Sequence, residues 1–370
     1  MVAGVNNRVF WACTGIYFCD HGLTAPVITD ADTACNMAYG VQSVGITTTF
    51  NLEQVFELGQ IGLYENIEEV PDIEVTVEKV LDGLGLIYDL ATTNPTAVHT
   101  IANTTGGAVD LVINAMDRMD VYFTIADERQ QALGSGTGLT STVYCSGMYV
   151  SSVSYTLPTD GNCTESVTLV GNDKLWFHNG DARLGVGNAP PIPGQAEFGN
   201  IGAEHVATDN TATGVQRREN VLIASSYIPT DVFGVTGAAG AGAAIGNANN
   251  SNVHLNSISI SADLGREAIN ELGTKLPYYR YVSYPVEVTC EIEVTTISGD
   301  MVDAGSHKSN LTDQKIYVLM ADGTIFNLGT KNKLASVSYG GGSTGGENAT
   351  CTYSYSTFNA LTVTGPSNIP

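Results

Sequence analysis

The chain has 370 residues, 43% of them hydrophobic and only 14% charged, and is rich in Gly, Thr, Ser, Asn and Val. That composition excludes a disordered chain and points to a packed β protein, too long for one ordinary sandwich and comfortable as two domains. Its 38 acidic against 15 basic side chains give a net charge of −23, which repels nucleic acid and argues against sequence-specific DNA or RNA binding.

No apolar run reaches the length of a membrane span, and MVAGVNNRVFWAC lacks the basic, apolar and small-residue segments of a signal peptide, so the chain reads as soluble and cytoplasmically made. Val9 to Phe18 predicts a first strand, with Val221 to Ile228 as its counterpart. A loop follows each, His21 to Tyr39 and Pro229 to Asn252. The Gly/Ala tract Gly237 to Gly246 lacks the strand-to-helix context of a dinucleotide loop and reads as flexible loop.

From Ser43 to Leu81 the chain reads as a strand, a long excursion ending near Pro71, and a return strand. This stretch comes back from Ser257. Glu57-Leu58-Gly59 falls on Glu271-Leu272-Gly273, an offset of 214 residues that also pairs Ser43 with Ser257, Ile46 with Ile260, Tyr64 with Tyr278 and Pro71 with Pro285. With one deletion, Ile73-Glu74-Val75-Thr76 falls on Val286-Glu287-Val288-Thr289. The chain is a duplication.

Alternation gives each core strand a packed and a wet face: Val44, Ile46, Ile73, Val75 and Val77 inward, with Ser43, Thr47, Glu74, Thr76 and Glu78 outward. In the second copy Val286, Val288, Cys290 and Ile292 point in and Glu287, Thr289, Glu291 and Glu293 out, so both wet faces are acidic. The excursion Asn51 to Val70 is too long for a hairpin turn and unusually apolar, which marks a contact surface unless it folds back on its own sandwich.

Leu84 to Thr92 is a candidate short helix. Asp120 to Asp127 matches Lys315 to Asp322, Ser152 to Tyr155 matches Ser336 to Tyr339, and Glu165 to Val170 and Cys351 to Ser356 are closing strands. The expected fold is mainly β: two tandem antiparallel sandwich or barrel domains, 1–178 and 215–370, each with a short helix and a long inter-strand loop, joined by an extended linker or arm at 179–214.

No catalytic, cofactor or metal constellation emerges. Six scattered histidines, no Cys-x-x-Cys among seven cysteines, no nucleophile elbow and no phosphate loop ending in Lys-Ser/Thr argue against an enzyme, and the cysteines read as small buried thiols.

The order of parts, most tellingly VQSVGITTTFNLEQVFELGQIGLYENIEEVPDIEVTVEKVLDG from Val41 to Gly83, resembles the tail tube proteins of tailed bacteriophages. The resemblance implies a virion protein whose rings stack into a hollow tube for DNA ejection. One sheet lines the bore, the long loop contacts the next ring, and the partners are copies of itself and other tail proteins: a sheath if the tail contracts, a terminator and the baseplate or tip. It implies lumen-lining residues at Glu74, Glu78, Glu287, Glu291 and Glu293, and inter-ring contacts at Phe56, Leu58, Tyr64, Ile67, Tyr278 and Tyr281. Because many tube subunits have one domain, two domains per chain imply three chains in a pseudo-six-fold ring, with six chains and an outer second domain as the competing geometry. The alternative reading is a tandem β-sandwich virion decoration or receptor-binding module.

Overall fold

The computed structural model describes residues 14–21, 35–92, 108–126, 139–178, 214–222, 253–296, 302, 313–342 and 348–366. Most of the expected 179–214 connector and the Gly/Ala tract lie outside these.

The first half contains β1 (Thr14–Asp20), β2 (Cys35–Met37), β3 (Val41–Thr49), β4 (Leu52–Phe56), β5 (Leu63–Glu68), β6 (Asp72–Val80), helix α1 (Ile87–Thr92), β7 (Ala108–Asp110), helix α2 (Leu111–Asn114), β8 (Met119–Ala126), β9 (Leu139–Pro158), β10 (Thr164–Gly171) and β11 (Asp173–His178). The second contains β12 (Val221–Leu222), β13 (Val253–Asp263), β14 (Arg266–Ile269), β15 (Tyr279–Val282), β16 (Glu287–Thr296), β17 (Tyr317–Met320), β18 (Ile325–Asn327), β19 (Lys333–Gly340), β20 (Thr350–Phe358) and β21 (Thr362–Thr364). The fold is mainly β, its sheets antiparallel, and every strand expected from the alternation is present where it is described. Both α-helices lie in the first half; the helix expected in the second is not among the described residues.

Eight strands form one continuous wall in the order β19-β20-β16-β13-β9-β10-β6-β3. Its packed face is built by alternation: Ile73, Val75 and Val77, Val167 and Leu169, Val153 and Tyr155, Ile258 and Ile260, Val288, Cys290 and Ile292, Tyr353 and Tyr355 are all buried. Over that face lie a second layer of β1, β8, β11 and the first part of β9, and a five-stranded sheet ordered β12-β17-β18-β21-β7. One contiguous apolar cluster joins these layers. Residues 108–110 of the first half thus finish a sheet of the second.

Buried polar groups hold the first half in place. Glu165, buried at the wall's packed face, accepts hydrogen bonds from the backbone N–H of Ile87 at 2.7 Å and Tyr88 at 3.1 Å and from the Tyr155 hydroxyl at 3.1 Å, so it caps the start of α1. Lys79 is also buried, with its ammonium on the Tyr39 carbonyl at 2.7 Å and Asp82 at 2.6 Å.

Two sequence readings need correction. Cys145, Cys163, Cys290 and Cys351 are free and buried, as expected, but Cys19 is disulfide-bonded. The β1·β2 register sets Cys35 opposite Cys19, a neighbourhood that spacing alone does not reveal.

The second correction concerns the frame of the duplication. β3 and β13 share a bulge, just before Ser43 and just before Ser257, and these serines face Glu78 and Glu293 respectively. The twin of Glu78 is therefore Glu293 and that of Glu74 is Thr289, one residue inserted relative to the 214 offset instead of one deleted. The two frames differ by two residues, so each side chain keeps its face.

Candidate assembly surfaces

The four strands β3, β6, β10 and β9 recur as β13, β16, β20 and β19, in the same order across the sheet. The second bulge recurs too: Ser151 is skipped in the pairing of β9 with β10, and Ala335 in that of β19 with β20. The two sets meet head to tail, the last strand of one (β9) on the first of the next (β13), with Ser154 opposite Ser261 and Tyr155 opposite Ile260. A head-to-tail contact is heterologous and leaves an unpaired edge at each end: the wall stops at β3 on one side and β19 on the other. Among the described residues neither edge strand has a second neighbour.

The register also shifts as the wall is crossed. Ser43 lies in one row with Glu78, Ser166, Ser154 and Ser261, whereas its twin is Ser257. Four strands therefore carry a stagger of four residues. One residue per strand is the ratio of an eight-stranded barrel of shear eight, whose strands tilt by roughly 36°. The wall carries the same stagger per strand.

The wet face bears the five expected carboxylates. Glu74 and Glu78 alternate on β6, Glu287, Glu291 and Glu293 on β16, and all but the half-buried Glu293 are exposed. Ser43 Oγ donates to Glu78 at 3.1 Å, and the Asn256 amide and Ser257 Oγ to Glu293 at 3.4 and 3.5 Å. Between them stand hydroxyls, among them Ser166, Thr168, Ser152, Ser154, Ser259, Ser261, Thr352 and Ser354. Sequence reasoning saw the carboxylates and passed over this hydroxyl lattice, although Ser or Thr at every second position of β10, β13 and β20 was its signal. Among the described residues of the eight strands the only wet-face cation is Lys333, ion-paired with Asp313 at 2.7 Å.

The long excursions are hairpins of their own. β4 pairs with β5 and β14 with β15, each as a separate two-stranded sheet projecting from the same end of the wall, because each leaves the first strand of its set and returns into the second. The first arm does not fold back on the sandwich: Phe56, Leu58, Ile61, Tyr64 and Ile67 are exposed, with Phe56 opposite Leu63. Leu272 and Tyr278 are exposed on the second arm, while Tyr281 is half covered by Tyr279, ring centroids 4.7 Å apart. Both tips turn through Glu-Leu-Gly, closed by Gln60 N–H on the Glu57 carbonyl and Thr274 N–H on that of Glu271, with Gly59 and Gly273 both at φ +94°. That backbone is open to glycine and strained for other residues, which explains why the glycine repeats. The base of the second arm is tied down by the Tyr279 hydroxyl on the Met116 carbonyl at 2.7 Å and by Arg280 on Asp72 at 2.6 Å.

Among the described residues no group of three or more His, Cys, Asp or Glu is placed to hold a metal ion, and no helix is long and apolar enough to cross a membrane.

No protein-family model matches the chain, and no curated protein does. Among solved structures the chain is similar to the tube-terminating cap of the anti-feeding prophage, at 10% identity and a TM-score of 0.30 over 48% of this chain and 96% of that one. It is similar to a chain of the baseplate of the same prophage at 10% identity and 0.27, over 48% and 97%. It is also similar to a chain of the extended sheath–tube complex of an extracellular contractile injection system at 12% identity and 0.30, over 47% and 94%.

Proposed function

We propose that the chain is a structural subunit of a phage tail tube: two tube-type domains, 1–178 and 215–370, joined by 179–214, three copies of which close a ring with pseudo-six-fold symmetry. The observation that carries this is the β9·β13 junction, a ready-made example of one domain set beside the next. Repeating it between chains places β19 on β3 of a neighbour, with Ser338 opposite Thr47 and Tyr339 opposite Ile46, as Ser154 and Tyr155 stand opposite Ser261 and Ile260. Both halves contribute four strands to one wall, which favours three chains over six with the second half outside.

Three copies supply twenty-four strands. At a spacing of about 4.8 Å and a tilt of about 36°, the barrel measures about 45 Å across between backbones, wide enough for a hydrated duplex. The wet face then lines the bore with Glu74, Glu78, Glu287, Glu291 and Glu293. A cationic wall would hold DNA by releasing its counterions; carboxylates and hydroxyls leave the duplex free to slide. The arms reach along the tube axis to the next ring, with Phe56, Leu58, Tyr64, Ile67, Tyr278 and Tyr281 as contacts, and sheath, terminator and baseplate proteins as further partners.

Electron microscopy of the purified protein tests this. Stacked rings of one bore diameter, with three chains per ring by native mass spectrometry, are expected. Discrete monomers or trimers that never stack would refute it.

A further inference from the structure

Arg266, the first residue of β14, carries a charge into the protein at the base of the second arm. Its Nε–H donates to the Val150 carbonyl of β9 at 2.7 Å, and the centre of its guanidinium lies 5.2 Å from that of the Tyr149 ring. The two terminal nitrogens, Nη1 and Nη2, are buried and have no acceptor. The hydroxyls of Tyr88 on α1 and Tyr149 on β9 are buried and unpartnered too, on side chains only 0% and 4% exposed. Tyr149 and Tyr88 are also the two titratable groups on which the Arg266 charge acts most strongly, so the four orphaned atoms share one neighbourhood.

The side chains around them do not answer the charge. Asp110 accepts from the backbone N–H of Val112 at 2.9 Å and Ile113 at 3.2 Å, and Asp117 from the Asn114 amide at 3.1 Å; both act on Tyr88, and neither is bonded to Arg266. The Tyr279 and Tyr284 hydroxyls donate to the carbonyls of Met116 and Val112. Exposed Arg118, 6.0 Å from the Tyr279 ring, adds a second positive charge. Buried donors are ordinarily satisfied, and a buried charge is ordinarily paired. A water molecule brings as many donors as acceptors and leaves the charge uncompensated, whereas an anion only accepts and cancels it.

We propose that a small monovalent anion of the size of chloride binds at the base of the second arm, on Nη1 and Nη2 of Arg266 with the Tyr88 and Tyr149 hydroxyls turned toward it. The ion ties β14 to β9 and α1, which come from the other half of the chain. The site belongs to the second arm alone. At the offset of 214 residues Arg266 corresponds to Leu52, which opens β4 and is exposed, so the first arm has no guanidinium at its base. Binding takes place within one chain and is independent of ring formation.

Urea unfolding at constant ionic strength, with sodium chloride exchanged for sodium gluconate, tests this, because gluconate is too large for an enclosed site between four protein atoms. Above half-saturation, each tenfold rise in chloride should raise the ratio of folded to unfolded chain about tenfold, and the chloride NMR line should broaden saturably in the presence of the folded protein. Arg266→Met should abolish both effects. Tyr88→Phe with Tyr149→Phe, which removes two oxygens and no carbon, should raise the half-saturating chloride concentration at least tenfold and keeps the test open if Arg266→Met does not fold. Identical unfolding in the two salts, meaning that water alone fills the site, or a chloride dependence unchanged in the variants, overturns the proposal.

Discussion

Tyr339 should be dispensable for folding and needed for ring closure. Its twin across the repeat, Tyr155, is fully buried between the wall and Phe326, ring centroids 4.5 Å apart, whereas Tyr339 on the edge strand β19 is 53% exposed. If β19 meets β3 of a neighbour as β9 meets β13, that exposed part is covered. An aromatic side chain offers on the order of 200 Å², so closure hides roughly 100 Å² at each junction. At about 25 cal/mol/Å² this is worth about 2.5 kcal/mol, close to two powers of ten in the association constant. Tyr339→Ala should therefore raise the concentration at which rings form by roughly a hundredfold in sedimentation velocity, with the chain's own thermal unfolding unchanged within about 0.5 kcal/mol. Tyr155→Ala should do the reverse, lowering the stability of the chain by about 3–5 kcal/mol as a large core truncation. Ring formation by Tyr339→Ala at the wild-type concentration would refute the edge-to-edge register.

Leu58→Ser with Leu272→Ser removes two fully exposed arm-tip side chains, so the monomer's unfolding midpoint should stay put while microscopy shows rings without stacks; a fall in thermal stability would mean that the arms pack on their own chain. Replacing Glu74, Glu78, Glu287 and Glu291 with Lys should leave assembly intact and slow genome ejection, and unchanged ejection kinetics would count against the acidic bore. Glu165 is a test by pH. Burial raises its pKa above the usual carboxylate value, against the pull of the Tyr88 and Ile87 N–H groups, so the folded chain holds this proton more tightly than the unfolded one. Its contribution is then fully present below the unfolded pKa and is lost as pH rises through the folded one. Urea unfolding from pH 4 upward should show this decline in the wild type and a flatter curve in Glu165→Gln, which in addition loses about 1–3 kcal/mol at neutral pH for an N–H left without an acceptor. Parallel curves would show that Glu165 does not titrate as its burial dictates.

Much of this was legible because strands write their burial into the sequence at a period of two. The in and out assignments of β3, β6, β13 and β16 follow from alternation alone, and a two-residue error in aligning β6 with β16 left them intact. The match of Ser152–Tyr155 with Ser336–Tyr339 was visible as well. What it meant was not, since sequence similarity says that β9 and β19 are twins and nothing about which strand lies beside each. That depends on non-local pairing, as do the contacts of Lys79 with the Tyr39 carbonyl and of Glu165 with Ile87 and Tyr88, and the opposition of Cys19 and Cys35. The arms were legible in part: the apolar run from Asn51 to Val70 reads as a contact surface and its side chains do stand uncovered, but the β4·β5 pairing that makes it a hairpin did not show, because Leu52, Val55, Phe56, Leu63 and Ile67 lack a clean alternation.

The duplication changes the energetics of closing a ring. In a ring of six separate subunits all six junctions are made between molecules. Fusing the units in pairs turns every second junction, the β9·β13 one, into an intramolecular contact formed during folding, at the high effective concentration that a tether imposes. Only three associations then remain, each at a β19·β3 edge. Fusion has a second consequence. Identical subunits cannot differ around a ring, but the two halves of one chain can, and here they do: Tyr155 has become core while Tyr339 stays at the edge, and the first arm has gathered carboxylates while the second has gathered arginines. Under this reading divergence between halves is what gives a six-fold wall a three-fold pattern.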